Sequence, residues 1–227
     1  SPEDPDAMWQ LVRAITGLAD ACLDLGVPVT GGNVSLYNST KSADLPPGHI
    51  DASINPAPVV AVLGVLPDVS VTGPSGWSRA GLDILLLGST AEELSGSVWA
   101  DVVHSHLGGR PPAVDLAAER ALARVLIDAV RGGLVDASHD LSDGGLIQAL
   151  TESVLRFGVG ARVDLAAILR RDGIDPATAL FAESGARAIV ATEQTDAVEA
   201  LAGEHGVPVI RLGVTDDDAG LQVADQF

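Results

Sequence analysis

After residue 58, short apolar runs alternate with stretches of helical periodicity, and this alternation constrains the fold more than any other feature. The apolar runs at 59–66 and 82–87 predict buried strands. Apolar residues at every third or fourth position predict a helix over 115–130. The same two patterns predict further strands at 134–137, 159–163, 186–191 and 207–214 and further helices at 144–157 and 195–205. We therefore expect an α/β fold of the α+β sandwich type.

The first 58 residues are organised differently. Apolar periodicity over residues 4–25 predicts an amphipathic helix that Gly26 ends. Cys22 falls on the apolar face of this helix, where we expect it to be part of a core. Residues 27–30 predict a short strand, which runs into a Gly-Gly-Asn sequence.

Residues 35–58 are rich in proline, glycine, serine, threonine and asparagine, and they predict a long loop. Loops of this length are usually functional or connecting segments. We therefore place a domain boundary at this loop, with residues 1–57 in one domain and residues 58–227 in another.

Composition excludes several classes of protein. The 227 residues carry a formal net charge of −18, yet 47% of them are hydrophobic, which predicts a folded acidic protein. A single cysteine excludes an internal disulfide and favours a reducing, cytoplasmic setting. No apolar run approaches the roughly 18 residues of a membrane span, so we expect no membrane partner. Lys41 is the only lysine and aromatic residues are few, so we expect no nucleic-acid partner either.

The first candidate site is the run Thr-Gly-Gly-Asn-Val-Ser-Leu-Tyr-Asn at residues 30–38. Two successive glycines allow a backbone to approach a phosphate closely. The side-chain oxygen of Asn33 suits Mg²⁺, and the hydroxyl of Ser35 suits a phosphate. The same residues also suit a simple turn with a capping asparagine, so both interpretations stay open.

The second candidate site is Ser-His-Asp-Leu-Ser-Asp-Gly-Gly-Leu at residues 138–146, between a predicted strand and a predicted helix. Asp140 and Asp143 would be placed to contact a nucleotide-bound Mg²⁺. Alternatively, Ser142 or Asp143 caps the helix and Asp140 is a turn residue.

The third candidate is Leu-Phe-Ala-Glu-Ser-Gly-Ala-Arg at residues 180–187. Glu183 and Ser184 stand at the mouth of a predicted strand, where they would bond a ribose or a phosphate, or simply end a loop. His104 and His106 have the spacing of a metal-binding pair on a strand, but no third ligand accompanies them at a usual spacing.

Together these runs resemble the PurM-like ATP-binding superfamily, and in particular phosphoribosylformylglycinamidine synthase of the small PurL type. The run at 31–38 is the most specific, whereas 139–145 and 181–184 are shared more widely by the superfamily's C-terminal domain. The resemblance covers essentially the whole chain and implies that it is the C-terminal part of the enzyme. Residues 1–57 would then be the tail of the second ATP-binding-type domain, and residues 58–227 would be a PurM C-terminal-like domain.

The resemblance also implies a reaction, the ATP-dependent amidation of formylglycinamide ribonucleotide with glutamine-derived ammonia in purine synthesis. By position, Gly32 would contact ATP, Asn33 would bind Mg²⁺ and Ser35 would contact the ribonucleotide. The family's catalytic histidines and its ATP-binding lysine would lie upstream of Ser1, so we expect no catalytic residue here and no turnover by this segment alone. Asp140, Asp143 and Glu183 would lie in the half whose counterpart site is often degenerate or structural.

The implied cofactors are ATP and Mg²⁺. The implied partners are a glutaminase subunit of the PurQ type and a small accessory subunit of the PurS type, in the cytoplasm. Two alternatives stay open: another enzyme of the superfamily, such as aminoimidazole ribonucleotide synthetase or selenophosphate synthetase, and a non-catalytic module that docks partner subunits. The family commonly has glutamate where this chain has Ser39.

Overall fold

The structure is a computed structural model that describes residues 3–41, 51–53 and 57–224; at 39–41 and 51–53 it describes the backbone only. The chain divides into two compact units, Ser1–Leu66 and Pro67–Phe227. The predicted boundary between residues 57 and 58 falls nine residues before this division.

The first unit begins with helix α1 (Pro5–Leu25). Asp4 caps its N-terminus by accepting hydrogen bonds from the main-chain N–H groups of Asp6 and Ala7, and Gly26 ends it with a φ of 68°. The predicted first helix is therefore confirmed. Within the predicted long loop, β1 (Ser39–Lys41) pairs antiparallel with β2 (Asp51–Ser53), while residues 42–50 and 54–56 lie outside the described residues.

Two strands predicted in this unit are wrong. Residues 27–30 and 59–66 have no regular secondary structure. A strand needs a neighbouring strand for its backbone hydrogen bonds, and in the described residues neither segment has one. The 59–66 run is also far from buried, since Val59 is 98% exposed and Leu63 is 93% exposed.

Helix α1 leaves its apolar face uncovered. None of its residues is buried, and Trp9 and Leu23 are among its exposed side chains. Cys22 is half-buried, so its predicted place in a core is wrong for the described residues. An amphipathic helix gains most of its stability by burying its apolar face, and this helix buries little of it.

The second unit contains the remaining elements. In chain order they are β3 (Asp83–Leu87), α2 (Val98–His104), α3 (Leu116–Arg131), β4 (Ala137–Asp140), α4 (Gly145–Phe157), β5 (Gly160–Val163), α5 (Ala166–Asp172), α6 (Pro176–Phe181), β6 (Ala188–Thr192), α7 (Thr195–Glu204), β7 (Val209–Asp216) and β8 (Leu221–Val223).

Six strands form one sheet in the order β4-β6-β3-β7-β5-β8. All neighbours are antiparallel except β5 and β8, which are parallel. The predicted strands and helices of this unit are confirmed to within two residues, except that the strand predicted at 134–137 is shifted to 137–140, and the mixed α/β class is confirmed. The short elements α2, α5, α6 and β8 are not predicted, because each is too short to display a period.

Strand β3 is buried on both faces of the sheet. Ile84 and Leu86 belong to one core, where they lie with residues of α4, α5 and α6. Leu85 and Leu87 belong to a second core, which α3 and α7 cover. Successive side chains of a strand point to opposite faces, so an uninterrupted apolar run here requires helices on both sides.

Truncation of β3 should therefore be costly. We expect Leu86→Ala to lower the free energy of unfolding by about 2–5 kcal/mol, because Leu86 is fully buried and its loss leaves a cavity. Leu155→Ala is the matched control, since Leu155 is 74% exposed on α4, and we expect a change within about 0.5 kcal/mol. Urea denaturation measures both, and equal losses would contradict the assignment of β3 to the core.

Candidate functional site

In the first unit, the candidate residues lie together on an exposed segment after α1. Residues 31–38 are all exposed. The φ angles of Gly31 and Gly32 lie outside the left-handed region, and a Cβ at either position would meet nothing within 4 Å. Among the described residues, neither the backbone conformation nor the packing therefore requires glycine at these two positions.

Asn33 and Ser35 contact each other. The Asn33 side-chain amide donates a 3.1 Å hydrogen bond to the Ser35 hydroxyl. The Asn33 Oδ1 atom, which is the acceptor that a cation would require, has no hydrogen-bond donor among the described residues. The predicted metal residue and the predicted substrate residue are thus neighbours on one surface.

The end of this segment is fixed by polar contacts. The Asn38 side chain donates to the main-chain oxygen of Ser35 at 3.0 Å, and Tyr37 adopts a φ of 62°. The Tyr37 hydroxyl donates to the Glu3 carboxylate at 2.8 Å, which raises the pKa of Tyr37. These contacts shape the turn and leave the side of the loop that carries residues 31–35 exposed.

In the second unit, Asp140 and Asp143 are exposed at the end of β4 and in the turn after it. The neighbouring His139 is the third residue of β4, and its side chain reaches α4. Its two ring nitrogens are 2.7 Å from the main-chain oxygen of Asp140 and 3.0 Å from the Glu152 carboxylate. The histidine of this motif therefore links the strand to the helix.

The predicted cap of α4 is wrong. Neither Ser142 nor Asp143 caps the helix, because its N-cap is Gly144, with a φ of 78° and no side-chain cap of its own. The Gly144 N–H instead donates at 2.8 Å to the carboxylate of Glu183, which is distant in sequence. Because Gly144 adopts a left-handed conformation, its N–H points away from the side chains of Ser142 and Asp143 and toward the Glu183 carboxylate.

Glu183 accepts two main-chain hydrogen bonds through one oxygen. Besides Gly144, the N–H of Val98 donates to Glu183 Oε1 at 2.9 Å. Val98 is the first residue of α2, so the same oxygen serves the N-termini of two helices. Binding of a ribose or a phosphate by Glu183 stays a prediction.

Arg187 has an important structural role that the sequence prediction missed. It is only 2% exposed. Its guanidinium donates to the main-chain oxygens of Ala182 at 2.6 Å and Ser184 at 2.8 Å, and to the Thr90 hydroxyl at 2.9 Å. Burial lowers its pKa to about 10, which still leaves it charged at neutral pH. The sequence signal available for this role was an arginine three residues after the Phe-Ala-Glu-Ser run.

The loop at 181–187 packs tightly against two glycines. A Cβ on Gly145 would lie 2.6 Å from the main-chain oxygen of Ala182, and a Cβ on Gly88 would lie 2.2 Å from that of Ala186. Both glycines also have positive φ angles. The second glycine of the Asp-Gly-Gly motif therefore allows this loop to approach α4.

The described residues show no preformed metal centre. Within residues 3–41, 51–53 and 57–224, no group of three histidine, cysteine, aspartate or glutamate side chains is arranged to hold a metal ion. His104 packs edge-on against Trp99, with ring centroids 4.5 Å apart. A recess lined by Trp77 and His139 leaves about 0 Å³ for a water-sized molecule, against the roughly 300–1,000 Å³ of ligand pockets.

None of the helices in the described parts of the chain is long and apolar enough to cross a membrane.

Residues 79–226 match the family described as AIR synthase related protein, C-terminal domain. Two curated relatives are each named phosphoribosylformylglycinamidine synthase subunit PurL. The relative from Leifsonia xyli is 58% identical over 233 residues, which cover 100% of this chain and 29% of the relative. The relative from Renibacterium salmoninarum is 53% identical over 222 residues, which cover 97% of this chain and 28% of the relative. The chain thus spans under a third of the length of these relatives.

Solved structures of Thermotoga maritima PurL share the fold. The structure of that protein complexed with FGAR superposes with a TM-score of 0.62 at 24% identity, over 70% of this chain and 28% of that chain. The same protein complexed with ATP gives a TM-score of 0.57 at 24% identity, over 70% and 25%. The structure described as PurLQS gives 0.54 at 24% identity, over 68% and 25%.

Replacement of Arg187 should destabilise the second unit. We expect Arg187→Met to cost about 3 kcal/mol, because it leaves the oxygens of Ala182 and Ser184 and the Thr90 hydroxyl without their donor. Arg124→Met is the matched control, since Arg124 is exposed on α3 and its replacement should change stability by less than about 0.5 kcal/mol. Thermal and urea denaturation measure both variants, and similar stabilities would show that Arg187 does not hold the loop.

Proposed function

Since the chain belongs to the family of AIR synthase related proteins, C-terminal domain, we propose that it is the C-terminal part of an ATP-dependent ligase of purine synthesis. The complete enzyme converts formylglycinamide ribonucleotide to formylglycinamidine ribonucleotide with ammonia derived from glutamine. One observation carries this proposal: a relative named as the PurL subunit of that synthase aligns with the whole chain at 58% identity.

The exposed segment at 31–38 supplies the chain's part of the site. We assign Gly32 to contact with ATP, Asn33 to Mg²⁺ and Ser35 to the ribonucleotide. The segment fits these roles because its glycines face open space and its polar side chains are exposed side by side. The structures of T. maritima PurL with ATP and with FGAR support a nucleotide and this substrate as ligands.

The donor set of the segment fits a hard cation. Asn33 offers an amide oxygen, and oxygen ligands are the ones that Mg²⁺ prefers. When bound, Mg²⁺ neutralises charge on the phosphates during phosphoryl transfer. This chain has few cations, with a net charge of −18, so phosphate contacts here depend on backbone N–H groups and hydroxyls rather than on basic side chains.

Asp140, Asp143 and Glu183 receive a different assignment. Asp140 and Asp143 are solvent-exposed, and one oxygen of Glu183 is bonded to two main-chain N–H groups. We assign Glu183 to the architecture of the second unit, and none of the three to catalysis.

We further propose that residues 1–57 are the tail of an ATP-binding-type domain whose remainder lies in the rest of the enzyme. The uncovered apolar face of α1 supports this, because such a face requires a partner layer. Residues 58–227 are then the PurM C-terminal-like domain. A glutaminase subunit of the PurQ type and an accessory subunit of the PurS type are the proposed partners in the cytoplasm, and the PurLQS structure supports this assembly.

In the complete enzyme, we expect Asn33→Ala to reduce Mg²⁺-dependent synthase activity at least 100-fold while leaving the melting temperature unchanged, since Asn33 is exposed and lost activity would reflect a lost ligand. Steady-state assays over a range of Mg²⁺ concentrations measure this effect. Asn33→Asp is the matched variant, because it keeps an oxygen ligand, and it should retain far more activity than the alanine variant. Full activity of Asn33→Ala would remove the assigned role.

The two units should also behave differently when separated. We expect residues 67–227 to unfold cooperatively on their own, because both faces of the sheet are covered within that unit.

A dye that binds exposed apolar surface should bind the 227-residue chain more strongly than it binds 67–227, since α1 and 59–66 expose apolar side chains. Equal dye binding would contradict the proposed tail domain.

A further inference from the structure

The connection between β3 and α3 is long and contains only one short helix, α2. We call residues 89–114 the strap. A connection of this length inside a domain is usually functional, and it must be fastened by contacts outside regular secondary structure.

The strap is fastened to the loop at 181–187. The N–H of Ala91 donates to the Ser184 hydroxyl at 3.1 Å, and the main-chain oxygen of Glu93 accepts from the N–H of Glu183 at 3.3 Å. The ring of Trp99 stacks on that of Phe181, with centroids 6.3 Å apart. Thr90, at the start of the strap, accepts from Arg187.

The outer side of the strap is apolar and uncovered among the described residues. Val102 is 75% exposed, Val103 is 58% exposed and Leu107 is 79% exposed. On the inner side of α2, Ala100 is buried and Trp99 stacks on Phe181, so these contacts and the polar contacts with the 181–187 loop together hold the helix.

Glu183 connects this fastening to α4. Its Oε1 atom accepts from Val98 at the start of α2 and from Gly144 at the start of α4. Helix N-termini carry partial positive charge, so one carboxylate between two of them is favourable to both. Helix α4 has no side-chain cap of its own to replace this contact.

We propose that Glu183 is a positioning residue that couples the strap to the turn at 140–145, so that loosening either helix N-terminus loosens the other. This coupling concerns the second unit alone and does not depend on the proposed reaction. It assigns the glutamate of the Phe-Ala-Glu-Ser motif to conformation rather than to ligand binding.

Val98→Pro tests the coupling because it removes one N–H donor. Val98 occupies the first position of α2, where proline is well tolerated, and the preceding Ser97 has an extended ψ of 162° that proline allows. In the 227-residue chain, we expect amide hydrogen exchange to accelerate about tenfold in α2 and also at the start of α4. Exchange in β3 and β6 should not change.

Two variants of Glu183 provide the second arm. Glu183→Ala should accelerate exchange in both α2 and residues 144–148, and Glu183→Gln should restore most of the protection, because its amide oxygen can accept the same two bonds. Val102→Ala is the control, since this exposed side chain on the same helix should leave exchange unchanged. Acceleration confined to one of the two helices would overturn the proposal. Equal acceleration in β3 and β6 would also overturn it, because it would indicate general destabilisation.

Discussion

The guanidinium of Arg187 lies almost entirely out of water, and all three of its partners are uncharged oxygens. Removing a charge from water is costly unless hydrogen bonds replace the lost hydration, so the loop at 181–187 must present its main-chain oxygens inward. That requirement explains Gly88 and Gly145, which allow this loop its close approach. The same requirement positions Glu183 so that its carboxylate accepts hydrogen bonds at the N-termini of α2 and α4. The arrangement of the strap and of the turn after β4 thus depends on one buried cation.

The two units therefore use their motifs in opposite ways. In the second unit, the polar atoms of the Phe-Ala-Glu-Ser run bond largely to main-chain groups of the same unit, which is the pattern of a structural element. In the first unit, Gly32, Asn33 and Ser35 are exposed, and nothing within the described chain requires the two glycines. This difference supports placing the ligand contacts of the chain at 31–38.

Sequence periodicity predicted the elements that the chain itself buries. The uninterrupted apolar run of β3 and the long helices α3 and α4 were predicted correctly, because a core on each face requires those patterns. The runs at 27–30 and 59–66 were mispredicted, since apolar character does not reveal whether a neighbouring strand is present. The cap of α4 was mispredicted because Ser142 and Asp143 are residue types that favour N-caps. The Gly144 N–H instead donates a hydrogen bond to Glu183, which is distant in sequence. Long-range contacts of this kind have no local signature.

We propose that residues 31–38 make the ligand contacts of this chain, while 140–145 and 181–187 are architectural. Amide hydrogen exchange of the complete enzyme, with and without Mg²⁺ and a non-hydrolysable ATP analogue, tests this claim most directly. We expect the ligand to slow exchange in peptides covering 31–38 and to leave exchange in peptides covering 140–145 and 181–187 unchanged. Slower exchange in the latter two segments, with none at 31–38, would contradict it.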